Sequence, residues 1–163
     1  MKFHICETEL GWIGVVVSPA GLRATTLPRK SREDALGEVL ALGASEEAPE
    51  RQLNGLPDRL RRYTRGEAVG FPDALDFHGV SPFQQSVWEA TRDIPRGQTC
   101  SYAELAARVG RPGAARAVGQ AMAHNPWPIV VPCHRVVASD GRLGGYGGGL
   151  DMKERLLRLE RAQ

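Results

Sequence analysis

From Gly66 to Pro82 the chain is interrupted by Gly70, Pro72 and Gly79, the punctuation of a connection between two compact units. The expected division is a first unit over residues 1–76 and a second over 77–163, and 163 residues are enough for two small cores. Ahead of the connection, Phe3 to Glu7, Gly11 to Ser18 and Leu22 to Leu27 alternate like sheet, with Ser18-Pro19-Ala20-Gly21 as a turn. A three-stranded meander is the simplest reading. Ser31-Arg32-Glu33-Asp34 then sets a hydroxyl cap before acids in a first helical turn, and Ala35, Leu36, Val39, Leu40 and Leu42 follow at helical spacing up to Gly43. A second helix is expected from Leu53 to Tyr63.

Behind the connection the helix signals sharpen. Ser81-Pro82-Phe83-Gln84 combines a hydroxyl cap, a proline at the first helical position and a glutamine able to close a capping box, so a helix is predicted from Pro82 to about Asp93. Ile94-Pro95-Arg96-Gly97 stops it. Ser101-Tyr102-Ala103-Glu104 is a second capping box, opening a helix through Leu105, Ala106 and Val109 that ends at Gly110. After the turn Gly110-Arg111-Pro112-Gly113, a third helix runs from Ala114 to about His124, and the pair is a helix-turn-helix candidate. Ala114, Ala115, Ala117, Gly119, Ala121 and Ala123 leave Arg116, Gln120 and Met122 as its only long side chains. Such a helix can approach a surface closely but offers few groups for reading base edges.

Composition narrows the class. With 42% hydrophobic and 25% charged residues the chain is ordinary globular protein rather than disordered. No stretch approaches the roughly 20 apolar residues of a membrane helix, and the start Met1-Lys2-Phe3-His4-Ile5-Cys6-Glu7 lacks the apolar core of a signal peptide. A cytoplasmic protein without membrane partners is expected. The net charge of +2 hides an asymmetry: up to Pro82 there are 10 Lys+Arg against 12 Asp+Glu, and beyond it 11 against 7. A phosphate-bearing partner would therefore meet the rear half first. Of the 21 basic residues 18 are arginine.

Cys6, Cys100 and Cys133 form no C-x-x-C pair and have neither a disulfide pattern nor structural zinc spacing, so each thiol is judged alone. Cys133 stands out. An apolar strand is expected at Ile129-Val130-Val131, running through Pro132 directly into Cys133-His134-Arg135-Val136-Val137. A neighbouring imidazole and guanidinium are features that lower a thiol pKa from about 8.5 and create a nucleophile. Adjacent strand residues face opposite sides, so a Cys133–His134 partnership requires a tight turn or a bridging water. Gly141, Gly144, Gly145, Gly147, Gly148 and Gly149 then surround Tyr146 in a loop able to bring backbone amides close to a planar ligand; it lacks the ending of a phosphate-binding loop. A last helix from Met152 to about Arg161 carries Leu156, Leu157, Leu159 and Glu160.

Pro132-Cys133-His134-Arg135-Val136, preceded by Asn125-Pro126 and Ile129-Val130-Val131, resembles the active-site signature of the O6-alkylguanine-DNA alkyltransferases. Phe83-Gln84-Gln85, Val87-Trp88, Ile94-Pro95, Ser101-Tyr102, Ala114 to Gly119 and Gly145-Tyr146 resemble the same family in order and spacing, from Ser81 to Glu160. Upstream the match is looser. The fold implied is mixed α/β (α+β): a small N-terminal α/β domain, RNase H-like, followed by a mostly helical, winged-helix-like domain with the helix-turn-helix.

By that resemblance Cys133 takes the alkyl group, His134 acts on it through a water, Glu160 orients His134, Tyr102 donates to the departing guanine, and Asn125 ties the turn. Arg135 braces the site. Val136, Pro128, Tyr146, Gly147 and Gly148 would complete the base pocket, with Gly147 standing where relatives often carry serine. Arg116 matches the finger that fills the stack when the base is flipped, and Ala115, Gln120, Ser101 and Tyr102 are the other DNA-facing candidates. The implied partner is double-stranded DNA with O6-alkylguanine, met by a monomer that needs no cofactor. Cys6, His4 and His78 do not match the ligand spacing of zinc-binding relatives, so no metal is expected. Two rival readings stay open at this point: a cysteine–histidine hydrolase of another fold, and a non-catalytic alkyltransferase-like protein that binds lesions. The presence of Cys133 argues against the second.

Overall fold

The computed structural model describes residues 1–161. The chain forms two compact units, Met1–Phe77 and a second from His78 onward. No helix among the described residues is long and apolar enough to cross a membrane.

The first unit is a four-stranded sheet with helices. Strands β1 (Lys2–Thr8), β2 (Gly11–Ser18) and β3 (Gly21–Thr25) form the expected meander, with Phe3 opposite Val16 and Ile5 opposite Gly14. A two-residue strand, β4 (Glu46–Glu47), adds in parallel to β1, giving the order β3-β2-β1-β4. Helix α1 (Arg32–Ala41) begins where Ser31 accepts a hydrogen bond from the Asp34 N–H, and it lays Ala35 and Val39 on Phe3, Ile5 and Val16. Gly14 makes that contact possible, because a Cβ there would come within 2.5 Å of Val39. Helix α2 (Leu56–Thr64) starts later than the sequence suggests, after a short 3-10 turn at Glu50–Gln52. Part of the expected connection is itself sheet-bound: Leu22 N–H donates to Ala74 O and Asp76 N–H to Leu22 O, both at 2.8 Å. That covers the β3 edge, which would otherwise present unpaired backbone groups.

In the second unit, α3 (Pro82–Arg92) and α4 (Tyr102–Arg108) both begin with complete capping boxes, Ser81 with Gln84 and Ser101 with Glu104. Gly110 and Gly113 take positive φ, and the turn they shape leads into α5 (Ala115–Ala123). Helix α6 (Leu150–Arg161) follows the glycine-rich loop. The core holds Val87, Leu105, Val118, Leu156 and two tryptophans, Trp88 and Trp127, packed edge to face with centroids 5.2 Å apart. Replacing Ser101 by Ala removes one half of a capping box and is expected to cost about 1 kcal/mol in chemical denaturation.

One expected element is absent. Residues Ile129 to Val131 are a turn, closed by Val131 N–H donating to Trp127 O at 2.8 Å and by a lone bridge between Pro128 and Val131. Prolines at 126, 128 and 132 remove the donors a strand needs. Asn125 substitutes for them: its amide donates to Val131 O at 2.9 Å and its carbonyl accepts from Trp127 N–H at 3.0 Å. Ile129 is held at φ +73°, a left-handed conformation costly for a β-branched residue. Two short strands that the sequence does not announce, β5 (Cys100–Ser101) and β6 (Val136–Val137), pair in parallel and join the start of α4 to the segment after Cys133.

Candidate active site

The tight turn that Cys133 and His134 require is present as a 3-10 turn over Cys133–Arg135. At about three residues per turn, successive side chains diverge by roughly 120° instead of pointing to opposite faces of a strand. His134 is fully buried, and its Nε2 lies 2.6 Å from Glu160 Oε1. Arg135 donates to the same carboxylate through Nε at 3.0 Å and Nη2 at 2.9 Å, and its Nη1 reaches Ile94 O at 2.6 Å. Glu160, near the end of α6, is thus enclosed by one imidazole and one guanidinium. It is no surface acid: 4% of it is exposed.

These contacts set the charges. Burial raises the Glu160 carboxyl, but the hydrogen bonds and charges of His134 and Arg135 outweigh burial and hold it far below the usual carboxylate range. Burial lowers His134, with Glu160 opposing, so at neutral pH the ring is uncharged. A neutral ring donating from Nε2 to a carboxylate keeps its lone pair on Nδ1, which is the tautomer a base needs.

The thiol departs from expectation. Cys133 is 5% exposed, and burial raises its pKa, against the opposing effects of the Asn125 amide, Lys153 and the Tyr146 hydroxyl. The imidazole and guanidinium expected to lower the thiol pKa are instead engaged with Glu160, and desolvation of the sulfur outweighs the groups that do lower it. The resting form is the thiol, and reaction requires its proton to be removed.

Around the sulfur, Asn125 and Tyr146 face Cys133, and Pro128 is buried in the turn that Asn125 brackets. Tyr102, in the first turn of α4, is raised by burial and then by the charge of Cys133, so it stays a neutral donor; its hydroxyl points to Gly145 O at 3.5 Å. Val136 is buried in β6, while Gly147 and Gly148 are exposed. A Cβ at Gly147 would meet only Ala123 O at 3.7 Å, so the backbone there accepts a serine as readily as a glycine. Trp127, next to the site in sequence, faces Trp88 in the core. Cys6 and Cys100 are buried elsewhere, and burial raises both thiols, Cys6 to about 11.

The DNA-facing candidates separate into two kinds. Arg116 and Gln120 are exposed on α5, and Ala115 is half-buried at its start. Ser101 is buried, its hydroxyl accepting the Glu104 N–H at 3.0 Å. One residue near the sulfur is absent from the sequence reading: Lys153, in the first turn of α6, is buried, and burial lowers its ammonium to about 8 against the pull of Cys133. Its signal was the lone lysine in a rear half otherwise supplied with arginine.

Residues 82–162 match the family model described as 6-O-methylguanine DNA methyltransferase, DNA binding domain. A methylated-DNA–protein-cysteine methyltransferase of Mycolicibacterium paratuberculosis is 54% identical over 111 residues, 68% of this chain and 67% of that one. One from Salmonella typhimurium is 42% identical over 157 residues, 94% of this chain and 91% of the relative. The crystal structure of Mycobacterium tuberculosis OGT in complex with DNA superimposes with a TM-score of 0.80 at 38% identity, covering 99% of this chain and 94% of that one.

Proposed function

The chain belongs to the methylated-DNA–protein-cysteine methyltransferase family, and from that premise we propose that it repairs duplex DNA directly, moving an alkyl group from guanine O6 to its own Cys133 in a single turnover. The observation that carries this reading is the buried Cys133–His134–Glu160 arrangement braced by Arg135. In the transfer a bond forms between the sulfur and the alkyl carbon while the bond from that carbon to O6 breaks, its electron pair staying on guanine. The thiol proton passes through a bridging water to His134 Nδ1, and the departing guanine takes a proton from the Tyr102 hydroxyl. The imidazolium of His134 then gives its proton back through water to the Tyr102 oxygen, so that in net guanine gains the proton that the thiol loses. Glu160 stays ionised throughout and stabilises the imidazolium once it forms. No metal or redox group enters this balance.

A guanine O6 inside a stacked duplex is out of reach of a buried sulfur, so the nucleotide turns out of the helix at a cost of a few kcal/mol. The slim α5, with Arg116 exposed in its first turn, suits close approach along a narrow groove, and Arg116 fills the space the base leaves. Helix α5 also begins without a side-chain cap, which leaves its first N–H groups for solvent or phosphate. Phosphate contacts from rear-half arginines give affinity that falls with salt.

The test is to incubate the protein with duplex DNA containing O6-methylguanine, digest it and locate the added mass. One methyl per molecule, carried by the Cys133 peptide, is expected, and Cys100→Ser should react like wild type because the Cys100 thiol is buried in β5, with burial raising it, and takes no part in the transfer. A methyl on Cys6 or Cys100, or repeated turnover without modification, would refute the reading.

A further inference from the structure

Lys153 takes no part in the proposed proton transfers, yet it is fully buried in the second unit. Its ammonium donates to Val136 O at 2.7 Å, to Gly145 O at 3.2 Å and to Leu143 O. Three carbonyls match the three donors of an ammonium, which is how a buried cation becomes tolerable without a carboxylate beside it. A planar guanidinium meets such a set poorly. That accounts for a lysine here in a chain where 18 of 21 basic residues are arginine.

The positions of those carbonyls matter more than their number. Leu143 and Gly145 belong to the glycine-rich loop, and Val136 belongs to β6, directly after the turn that carries Cys133. One cation therefore fastens the loop to the nucleophile's segment. On its other side the loop rests on Tyr102. Gly144 has φ +71°, and a Cβ there would come within 2.6 Å of the Tyr102 hydroxyl oxygen. Lys153 Nζ itself lies 5.8 Å from the centroid of the Tyr102 ring. Residues 143–145 are thus seated between the ammonium and the ring of the residue proposed to protonate guanine, one position before Tyr146, which faces the sulfur.

We infer that Lys153 is a positioning residue for alkyl transfer: by tying the carbonyls of Leu143 and Gly145 to that of Val136, it fixes Tyr102 and Tyr146 as the two sides of the pocket that receives the flipped base. This rests on the alkyl-transfer reading above and adds a residue that touches neither the base nor the alkyl group. A cation acting directly on the sulfur would affect every reaction of Cys133 alike. A fastener of the pocket affects only those reactions in which a base must be seated.

Two reactions of the same sulfur separate these cases. Dealkylation of free O6-benzylguanine needs the pocket, whereas carboxamidomethylation by iodoacetamide needs only the thiol. In Lys153→Met the benzylguanine reaction is expected to fall on the order of 30-fold, the loss that follows when the three hydrogen bonds fastening the loop are removed. The iodoacetamide reaction is expected to change far less, because loss of the Lys153 charge slows it while loosening of the loop over a nearly buried sulfur quickens it. Should Lys153→Met fail to fold, Gly144→Ala disturbs the same seat from the Tyr102 side with the lysine intact, and the same split is expected. A folded variant of either kind that keeps the wild-type benzylguanine rate overturns the inference, as does a parallel fall in both reactions. Failure of the wild-type protein to take the methyl group from O6-methylguanine in duplex DNA would instead remove the repair reading, so the two failures are distinguishable.

Discussion

Replacing Glu160 by Gln is expected to slow methyl transfer by about ten-thousandfold, the scale seen when the carboxylate that orients and charges a catalytic imidazole becomes an amide. The amide keeps the size of the side chain but offers one acceptor oxygen without charge where the carboxylate serves His134 and two Arg135 nitrogens. The ring loses its fixed tautomer and its imidazolium loses a counter-charge. The Arg135 guanidinium, largely buried, is left poorly matched, and breaking such a buried pair should cost about 3 kcal/mol of stability. Stopped reactions with O6-methylguanine DNA measure the first effect and urea unfolding the second. A variant with the wild-type rate would show that His134 works without Glu160.

The same variant isolates a pH effect. In the folded protein the Glu160 carboxyl is held far below its ordinary range, and on unfolding it returns to about 4.3. Below that pH the unfolded chain takes up a proton the folded one refuses, so the stability contributed by Glu160 is complete above about pH 4.3 and drains away as pH falls further. His134, also lowered in the fold, adds a loss of the same sign starting near pH 6.5, and the variant, without the carboxylate that opposes burial at the ring, loses more there. The stability gap between wild type and Glu160→Gln should therefore be widest between about pH 4.3 and pH 6.5 and shrink below about pH 4.

Where local chemistry decides structure, the sequence was readable. Both capping boxes, the glycine-shaped turn before α5 and the slimness of α5 follow from residues within a few positions of one another. That Cys133 and His134 are neighbours was likewise legible. What could not be read is set by several residues acting together, some of them distant in the chain. Ile129 to Val131 look like a strand by hydrophobicity, and only the prolines together with both ends of the Asn125 amide make them a turn. The raised thiol of Cys133 depends on how completely the loop and α6 enclose it, which no spacing reveals. A lysine in the first turn of an amphipathic helix ordinarily faces water, and only the fold brings three carbonyls to Lys153.

Arg116→Ala is expected to divide the reaction by substrate, lowering transfer from O6-methylguanine in duplex DNA by about 100-fold while changing the rate with free O6-benzylguanine little. The two substrates reach the same sulfur, but only the duplex has a stacked base to turn out and a gap to fill. Arg116 is exposed in the first turn of α5, and its neighbours Ala115 and Ala117 are too short to enter a stack in its place. Removing the side chain therefore returns the cost of unstacking to the reaction, and a loss of two to three kcal/mol corresponds to about 30- to 150-fold in rate. Binding should weaken too, with a slightly shallower dependence on salt, because at most one phosphate neutralisation is lost. A DNA with the lesion opposite an abasic site offers the decisive control: its base is already poorly stacked, so the variant should recover most of its rate there. Equal losses on duplex, abasic duplex and free base would mean that Arg116 shapes the pocket, and its role in turning the base out would have to be abandoned.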